Sequence, residues 1–293
     1  MKNTLQLLRP QQWLKNIFVF LPLFFNHQLL NSTKLTEALL VFTAFSFISS
    51  SIYCFNDILD IEEDKKHPTK RHRPLASGSV SKAQAYIIML ILAFSAFSIP
   101  LLCFNKEKYI QISFLLLLYF AMNIAYCIKL KHIAIIDVFI ISIGFVMRVI
   151  SGGAATEIWV SQWIILLTLL LTLFLAFAKR RDDVLIFNSS KIKARKNIAR
   201  YNLDFLNNAI SIIASMTMIC YIMWCVSEEV IQRMGTDRLY ITSIFVLMGI
   251  LRYLQATMVD AKSGSPTKIL YKDHFIHICI AGWIITFYII LYL

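Results

Sequence analysis

The chain has 293 residues, 58% of them hydrophobic and 16% charged, with a formal net charge of +12. Apolar runs near the roughly 20 residues that cross a bilayer recur along it, which excludes a soluble single domain. The basic residues lie in short loops between these runs with no nucleic-acid-binding motif beside them, so membrane orientation accounts for them and no nucleic acid is expected as a partner.

Nine transmembrane helices are predicted, at residues 16–31, 36–56, 83–104, 109–128, 133–153, 161–178, 205–227, 239–258 and 273–293, giving an all-α polytopic membrane protein. Pro22, Asn26 and His27 interrupt the first. Lys2, Arg9 and Lys15 precede it without a small-residue cleavage site, so it reads as a retained span rather than a signal peptide. Of the 29 Lys and Arg residues, 22 fall in residues 1–16, 57–82, 129–132, 179–204 and 259–272, and five fall in the loops of the opposite side. That bias predicts a multi-pass protein of the inner (cytoplasmic) membrane with its N-terminus in the cytoplasm. The six cysteines lie in or at the ends of apolar segments, with no CxxC pair and no metal-ligand spacing, and read as reduced packing residues.

The second span runs into Asn56, Asp57, Asp60 and Asp64. At 100° per residue these fall at about 0°, 100°, 40° and 80°, so one helix face presents an amide and three carboxylates. Oxygen ligands of this kind suit a hard cation, and magnesium takes one or two carboxylates while phosphates and waters complete its shell. The same loop continues through His67, Pro68, Lys70, Arg71, Arg73, Pro74, Ser77 and Gly78. Carboxylates without a metal would pair with these bases, whereas a metal diphosphate would engage both sets.

Farther along, Tyr126, Lys129 and Lys131 close the fourth span, where each reads as an interfacial anchor or a substrate contact. Asp137 and Arg148 lie in the fifth span about 16 Å apart along the axis, too far to pair, so each needs another partner. For Arg148 that partner is an anionic substrate or a neighbouring helix. Lys179, Arg180, Arg181, Asp182 and Asp183 close the sixth span, followed by Lys191, Lys193, Arg195, Lys196, Arg200 and Tyr201. Lys179, Arg180 and Asp183, at the membrane boundary beside a second pair of carboxylates, read as substrate contacts, and residues 191–196 as a solvated or lipid-attracted run. Arg252, Tyr253, Lys268 and Asp273 flank the last loop.

The run Asn56-Asp57-x-x-Asp60-x-x-x-Asp64 followed by His67-Pro68-x-Lys70-x-x-Arg73-Pro74-x-Ala76-Ser77-Gly78 resembles the first signature of the UbiA-type intramembrane prenyltransferase superfamily. Within it the chain looks most like the decaprenyl-phosphate phosphoribosyltransferases. That likeness rests on Arg9-Pro10-x-Gln12-Trp13-x-Lys15-Asn16, Tyr126-x-x-Lys129-x-Lys131, Gly144-Phe145-x-x-Arg148 with Gly152-Gly153, Lys179-Arg180-x-x-Asp183, and Arg252-Tyr253 with Gly264-x-Pro266 before Asp273. Asp182 and Asp183 are adjacent behind three bases, unlike the four-residue spacing of the second acidic signature in prenyl-diphosphate users, which favours the phosphoribosyl branch.

The resemblance implies a single domain over 1–293, with nine helices around a central cavity open to the cytoplasm. It implies Mg2+-dependent transfer of 5-phosphoribose from phosphoribosyl pyrophosphate to a polyprenyl phosphate, with a homo-oligomer left open. Asn56, Asp57, Asp60 and Asp64 would hold the metal, and Asp57, Asp60, Asp64 and Lys70 would form the catalytic set. Lys15, Lys70, Arg73, Tyr126, Lys129, Lys131, Arg148, Lys179, Arg180, Asp183 and Tyr201 would bind substrate. The alternative activities are prenyl transfer from a diphosphate to an aromatic or glycerol-phosphate acceptor, and transport without catalysis.

Overall fold

The structure, a computed structural model, describes residues 2–66, 70–190, 196–260, 269 and 272–292, without the side chains of 2–4, 189, 190, 196, 199 and 292. His67, Pro68, Lys191, Lys193, Arg195, Gly264, Pro266 and Lys268, all singled out above, lie outside the described residues. Among the described residues the regular elements are all helices, and eight are long and apolar enough to cross a membrane. Contacts divide the chain into two compact units, residues 1–160 and 161–293.

The first unit opens with α1 (Lys2–Leu8), a 3-10 helix (Pro10–Phe20) and the short α2 (Leu21–Phe25). The span expected at 16–31 is therefore not one long α-helix. Proline starts both helical pieces, Pro10 at the first position of the 3-10 helix and Pro22 within the first turn of α2, and the chain turns at His27 with φ +54°. A 3-10 helix rises about 2.0 Å per residue against 1.5 Å, so its eleven residues cover about 22 Å.

Next come α3 (Ser32–Leu59), α4 (Ile61–Lys66), α5 (Lys82–Cys103), α6 (Lys106–Ile128) and α7 (Ile136–Thr156). Each long helix starts within four residues of its expected boundary. Asn31 and Asn105 cap α3 and α6, each accepting from a backbone N–H three residues on, and Ser81 with Gln84 forms a capping box on α5.

Helix α3 is the centre of the unit and packs on α5, α6, α7 and the 3-10 helix. Val41, Phe45, Ile48 and Ile52 of α3 are buried with Val19, Leu23, Ile112, Leu116 and Met147. Lipid tails are as apolar as these side chains, so close approach and polar contacts must hold the helices together. The 3-10 helix supplies both. A Cβ on Gly152 would lie 2.0 Å from the Val19 carbonyl oxygen, so only glycine lets it meet α7 here. Trp13 Nε1 donates to Ser50 Oγ (2.9 Å), and Asn16 Nδ2 donates to Ser46 Oγ (3.0 Å). Ile91, Phe94, Phe114 and Leu117 point outward, as expected of surfaces facing lipid.

The second unit contains α8 (Gln162–Ser190), α9 (Leu203–Cys225), α10 (Glu228–Met234), a 3-10 turn (Arg238–Thr242), α11 (Ser243–Met258) and α12 (His274–Tyr292). Tyr221 of α9 shares a 2.6 Å hydrogen bond with Thr242 and accepts another of 2.6 Å from Trp283 Nε1, tying three elements together. Helix α8 continues twelve residues past its expected end, because 162–190 contains neither Gly nor Pro to stop it. Lys179 to Asp183 thus lie within a helix rather than at the start of a loop.

Candidate active site

The structure sorts the polar residues at the end of α3 and in α4 into two pairs. Asp57 and Asp64, seven residues apart, share Arg73, and Asn56 and Asp60, four apart, bond to each other. The chain bends at Asp60 (φ −92°, ψ 6°), yet Asp60 N–H still donates to the Asn56 carbonyl (3.0 Å) and Asp64 N–H to the Asp60 carbonyl (2.8 Å). The single four-residue face expected from an unbroken helix is therefore divided.

Each pair has its own base. Asp57 and Asp64 are 2% and 3% exposed, and Arg73 Nη1 donates to Asp57 Oδ1 at 3.2 Å and to Asp64 Oδ2 at 2.7 Å. Arg9 Nη2 reaches the same Asp57 oxygen at 2.5 Å. In the other pair Asn56 Nδ2 donates to Asp60 Oδ2 (3.0 Å), and Lys131 Nζ donates to Asp60 Oδ1 (2.7 Å) and Asn56 Oδ1 (3.4 Å). Three carboxylates face three bases brought from distant parts of the chain.

The local folds aim these bases. Arg9 sits in the left-handed region (φ 51°, ψ 59°) between α1 and the 3-10 helix, a conformation costly for a bulky residue and more so before proline. Its guanidinium lies over the Tyr53 ring at 5.1 Å, one turn of α3 before Asp57. Arg73 belongs to a compact loop in which Val80 N–H and the Ser79 hydroxyl both donate to the Pro74 carbonyl (3.1 Å each), Gly78 takes φ +76°, and Leu75 and Val80 are buried against α3 and α5. Lys70 opens the 3-10 turn before it. Lys131 sits in the turn between α6 and α7, with exposed Lys129 at the α6 C-cap and half-buried Tyr126 on its last turn.

Deeper along α3, Arg148 is 5% exposed. It donates to Asn16 Oδ1 (2.7 Å), the Gly144 carbonyl (2.6 Å) and the Tyr119 hydroxyl (2.8 Å), and lies over the rings of Phe45, Tyr119 and Phe145. The guanidinium ties the 3-10 helix, α6 and α7 together, and Asp137 is buried in the first turn of α7. Lys15, beside Asn16, is exposed.

No three His, Cys, Asp or Glu side chains among the described residues come close enough together to hold a metal ion alone. The oxygen set nevertheless fits a magnesium ion that shares its shell with a substrate. Among the described residues Asp57 Oδ2 and Asp64 Oδ1 accept no hydrogen bond, leaving two carboxylate oxygens, the number such an ion takes from a protein.

The second unit has a different charge cluster. Arg180, fully buried, donates to Asp183 one turn on. Arg181 donates to Asn207 Oδ1 (2.7 Å) and the Thr257 carbonyl (2.5 Å), while Asp182 is buried and Lys179 exposed. Tyr201 is buried and stacked on Phe205 at 6.1 Å. At the start of α12 the Arg252 guanidinium, bonded to Asp273 Oδ2 at 2.7 and 2.9 Å, holds that carboxyl below its ordinary range.

Within the first unit the structure thus brings together Asn56, Asp57, Asp60, Asp64, Arg73 and Lys131, while Arg148 and Lys15 lie elsewhere along α3. The candidate residue missed in the sequence is Arg9. Its signals were a base directly before Pro10 and Ser50 inside an apolar span, whose hydroxyl donates to the Leu8 carbonyl and marks where the N-terminal segment docks.

Membrane-length helices that gather carboxylates and bases at one end of a bundle define a polytopic membrane protein built to handle charged groups. The chain belongs to the UbiA prenyltransferase family, whose profile matches residues 17–278, and it is a membrane-embedded transferase. It is 31% identical over 287 residues to the decaprenyl-phosphate phosphoribosyltransferase of Mycolicibacterium smegmatis, covering 94% of this chain and 88% of that one. It is 31% identical over 283 residues to the enzyme of the same name from Corynebacterium glutamicum, covering 94% and 83%. A solved UbiA homolog from Archaeoglobus fulgidus, bound to GPP and Mg2+, superposes with a TM-score of 0.70 at 16% identity over 99% of this chain and all of that one, a likeness of fold alone.

Proposed function

We propose that this protein is a Mg2+-dependent transferase of 5-phosphoribose from phosphoribosyl pyrophosphate to a polyprenyl phosphate such as decaprenyl phosphate, with both units acting as one catalytic domain. The observation that carries the reading is the meeting of three carboxylates with Arg9, Arg73 and Lys131, a cluster suited to a divalent cation and a polyphosphate together. The names of the two relatives support the choice of donor and acceptor.

In this reading Asp57 and Asp64 hold the ion, with Asn56 and Asp60 beside them, and when bound it stabilises negative charge gathering on the departing pyrophosphate. The C1–O bond of the ribose breaks, a lipid phosphate oxygen bonds to C1, and pyrophosphate leaves. The acceptor is already an anion at neutral pH, so the chain need supply no strong general base. Lys70, Arg73, Lys129, Lys179 and Arg180 bind the anionic groups of donor and acceptor, with Lys15, Tyr126, Lys131, Arg148, Asp183 and Tyr201 supporting them. Arg offers paired hydrogen bonds and Lys a point charge. The basic-residue bias supports a cytoplasmic N-terminus and active face in the inner membrane.

The test incubates purified protein with labelled phosphoribosyl pyrophosphate and polyprenyl phosphate, and separately with a prenyl diphosphate and an aromatic acid. Label entering the lipid only in the first mixture, and only with Mg2+ present, is the expected result. Turnover of the second mixture alone assigns prenyl transfer, and no turnover in either removes the catalytic reading.

A further inference from the structure

Each of the three acids at the end of α3 and in α4 is paired with a base through one oxygen. Arg9 and Arg73 occupy Oδ1 of Asp57, Arg73 occupies Oδ2 of Asp64, and Lys131 occupies Oδ1 of Asp60. Within these described pairs three negative and three positive charges cancel. A divalent ion entering alone would leave two uncompensated positive charges in a largely buried cluster, an unfavourable state at low dielectric. A diphosphate entering alone would leave the opposite excess. The cluster stays near neutrality only when both enter together.

The three bases are placed to allow this. The Arg9 and Arg73 side chains are 24% and 26% exposed, whereas those of Asp57 and Asp64 are 2% and 4% exposed, so these two bases border solvent and their acids do not. All three reach the acids from outside α3 and α4. Arg9 also holds a backbone conformation that is costly unless its surroundings enforce it.

We propose that Arg9, Arg73 and Lys131 are exchangeable counter-ions. They hold one oxygen of each carboxylate, leaving Asp57 Oδ2 and Asp64 Oδ1 to the ion, and when metal and donor bind they turn from the acids to the donor's diphosphate. This rests on the metal–diphosphate reading of the site and assigns Arg9 to it. The two bound species are thereby coupled, each improving the affinity of the other by the same factor.

The experiment titrates the purified full chain with Mn2+, following free ion by electron paramagnetic resonance, with and without methylenebisphosphonate, a diphosphate that cannot be cleaved. Arg73→Gln and Arg9→Gln should bind Mn2+ alone about five-fold or more tighter than wild type, because a competitor for the carboxylates is gone. At saturating Mn2+ the same variants should bind the bisphosphonate about tenfold or more weaker. Arg73→Lys should fall between, and if Arg73→Gln does not fold, Arg9→Gln and Lys131→Met carry the test. Mn2+ affinity equal to or below wild type in the folded variants overturns the exchange while leaving the metal site standing. Absence of Mn2+ binding by wild type even with bisphosphonate overturns the metal–diphosphate reading itself.

Discussion

The end of α3 and the middle of α8 carry similar inventories of acids and bases but spend them differently. Along α8, Arg180 meets Asp183 one turn away, and Arg181 donates to uncharged groups, an amide oxygen and a backbone carbonyl 26 and 76 residues away. At α3 the partners of the acids come from 9 to 71 residues away, on three separate segments. A local pair forms whenever its helix forms, while a pair assembled by tertiary folding can be remade when a ligand arrives. On the proposed reading, the replaceable charges and the chemistry belong at α3.

The sharpest way to break that comparison is to neutralise the acids of each region. Asp57→Asn and Asp64→Asn keep volume and remove charge, and each is expected to lower turnover by about 100-fold or more, the scale of losing a main electrostatic stabiliser. Asp182→Asn and Asp183→Asn are expected to cost less than either. Equal losses in both regions, measured as kcat in reconstituted membranes with folding checked by thermal unfolding, would place chemistry at α8 as much as at α3.

The contrast was only half legible in the sequence. Helix positions followed from apolar runs, and the acidic helix end from the spacing of Asn56, Asp57, Asp60 and Asp64. Pairing with the bases was foreseen for Arg73 in the same loop. It was not foreseen for Arg9, because a contact across 48 residues depends on where the N-terminal segment docks, and Arg9 was read only as one of the bases preceding a retained span. That segment's burial against α3 and α7 rests on Ser46, Ser50 and Gly152, which are signals of close packing rather than of hydropathy. The division of one expected acidic face into two followed from a bend at Asp60 that no Gly or Pro announces. The extension of α8 was missed because charged residues were taken to end a span, although Arg180 and Asp183 compensate each other inside it.

A smaller effect separates the two regions through their exposed lysines. Lys129, at the α6 C-cap beside the acid site, and Lys179, on α8, both face outward. If each reads an anionic group of donor or acceptor, Lys129→Met and Lys179→Met should each raise a KM about tenfold, the scale of a lost charge-assisted hydrogen bond. Steady-state kinetics with each substrate varied in turn assigns the lysine to its ligand. A rise for Lys129 and none for Lys179 sharpens the comparison, leaving α8 a structural element.

The smallest effect is expected where tertiary assembly of charges occurs without the other features of the α3 site. At the opposite end of the first unit, Lys108 of α6 reaches Glu37 of α3 at 2.7 Å and Glu157 at the end of α7 at 3.2 Å, 71 and 49 residues away. Distance in sequence alone would mark this cluster as strongly as the acid site. It differs in two ways: a single base serves both acids, and the Glu157 side chain is 70% exposed, so water can replace what the lysine supplies. Lys108→Met is therefore expected to leave kcat and KM within about twofold of wild type and to cost about 1 kcal/mol of stability or less, as for a partly exposed ion pair. A double-mutant cycle with Glu37→Gln, read by thermal unfolding in detergent, isolates the pair from the loss of each side chain alone. Should Lys108→Met instead abolish turnover in a folded protein, long-range charge assembly would matter at both ends of the bundle, and the α3 acids would lose their distinction.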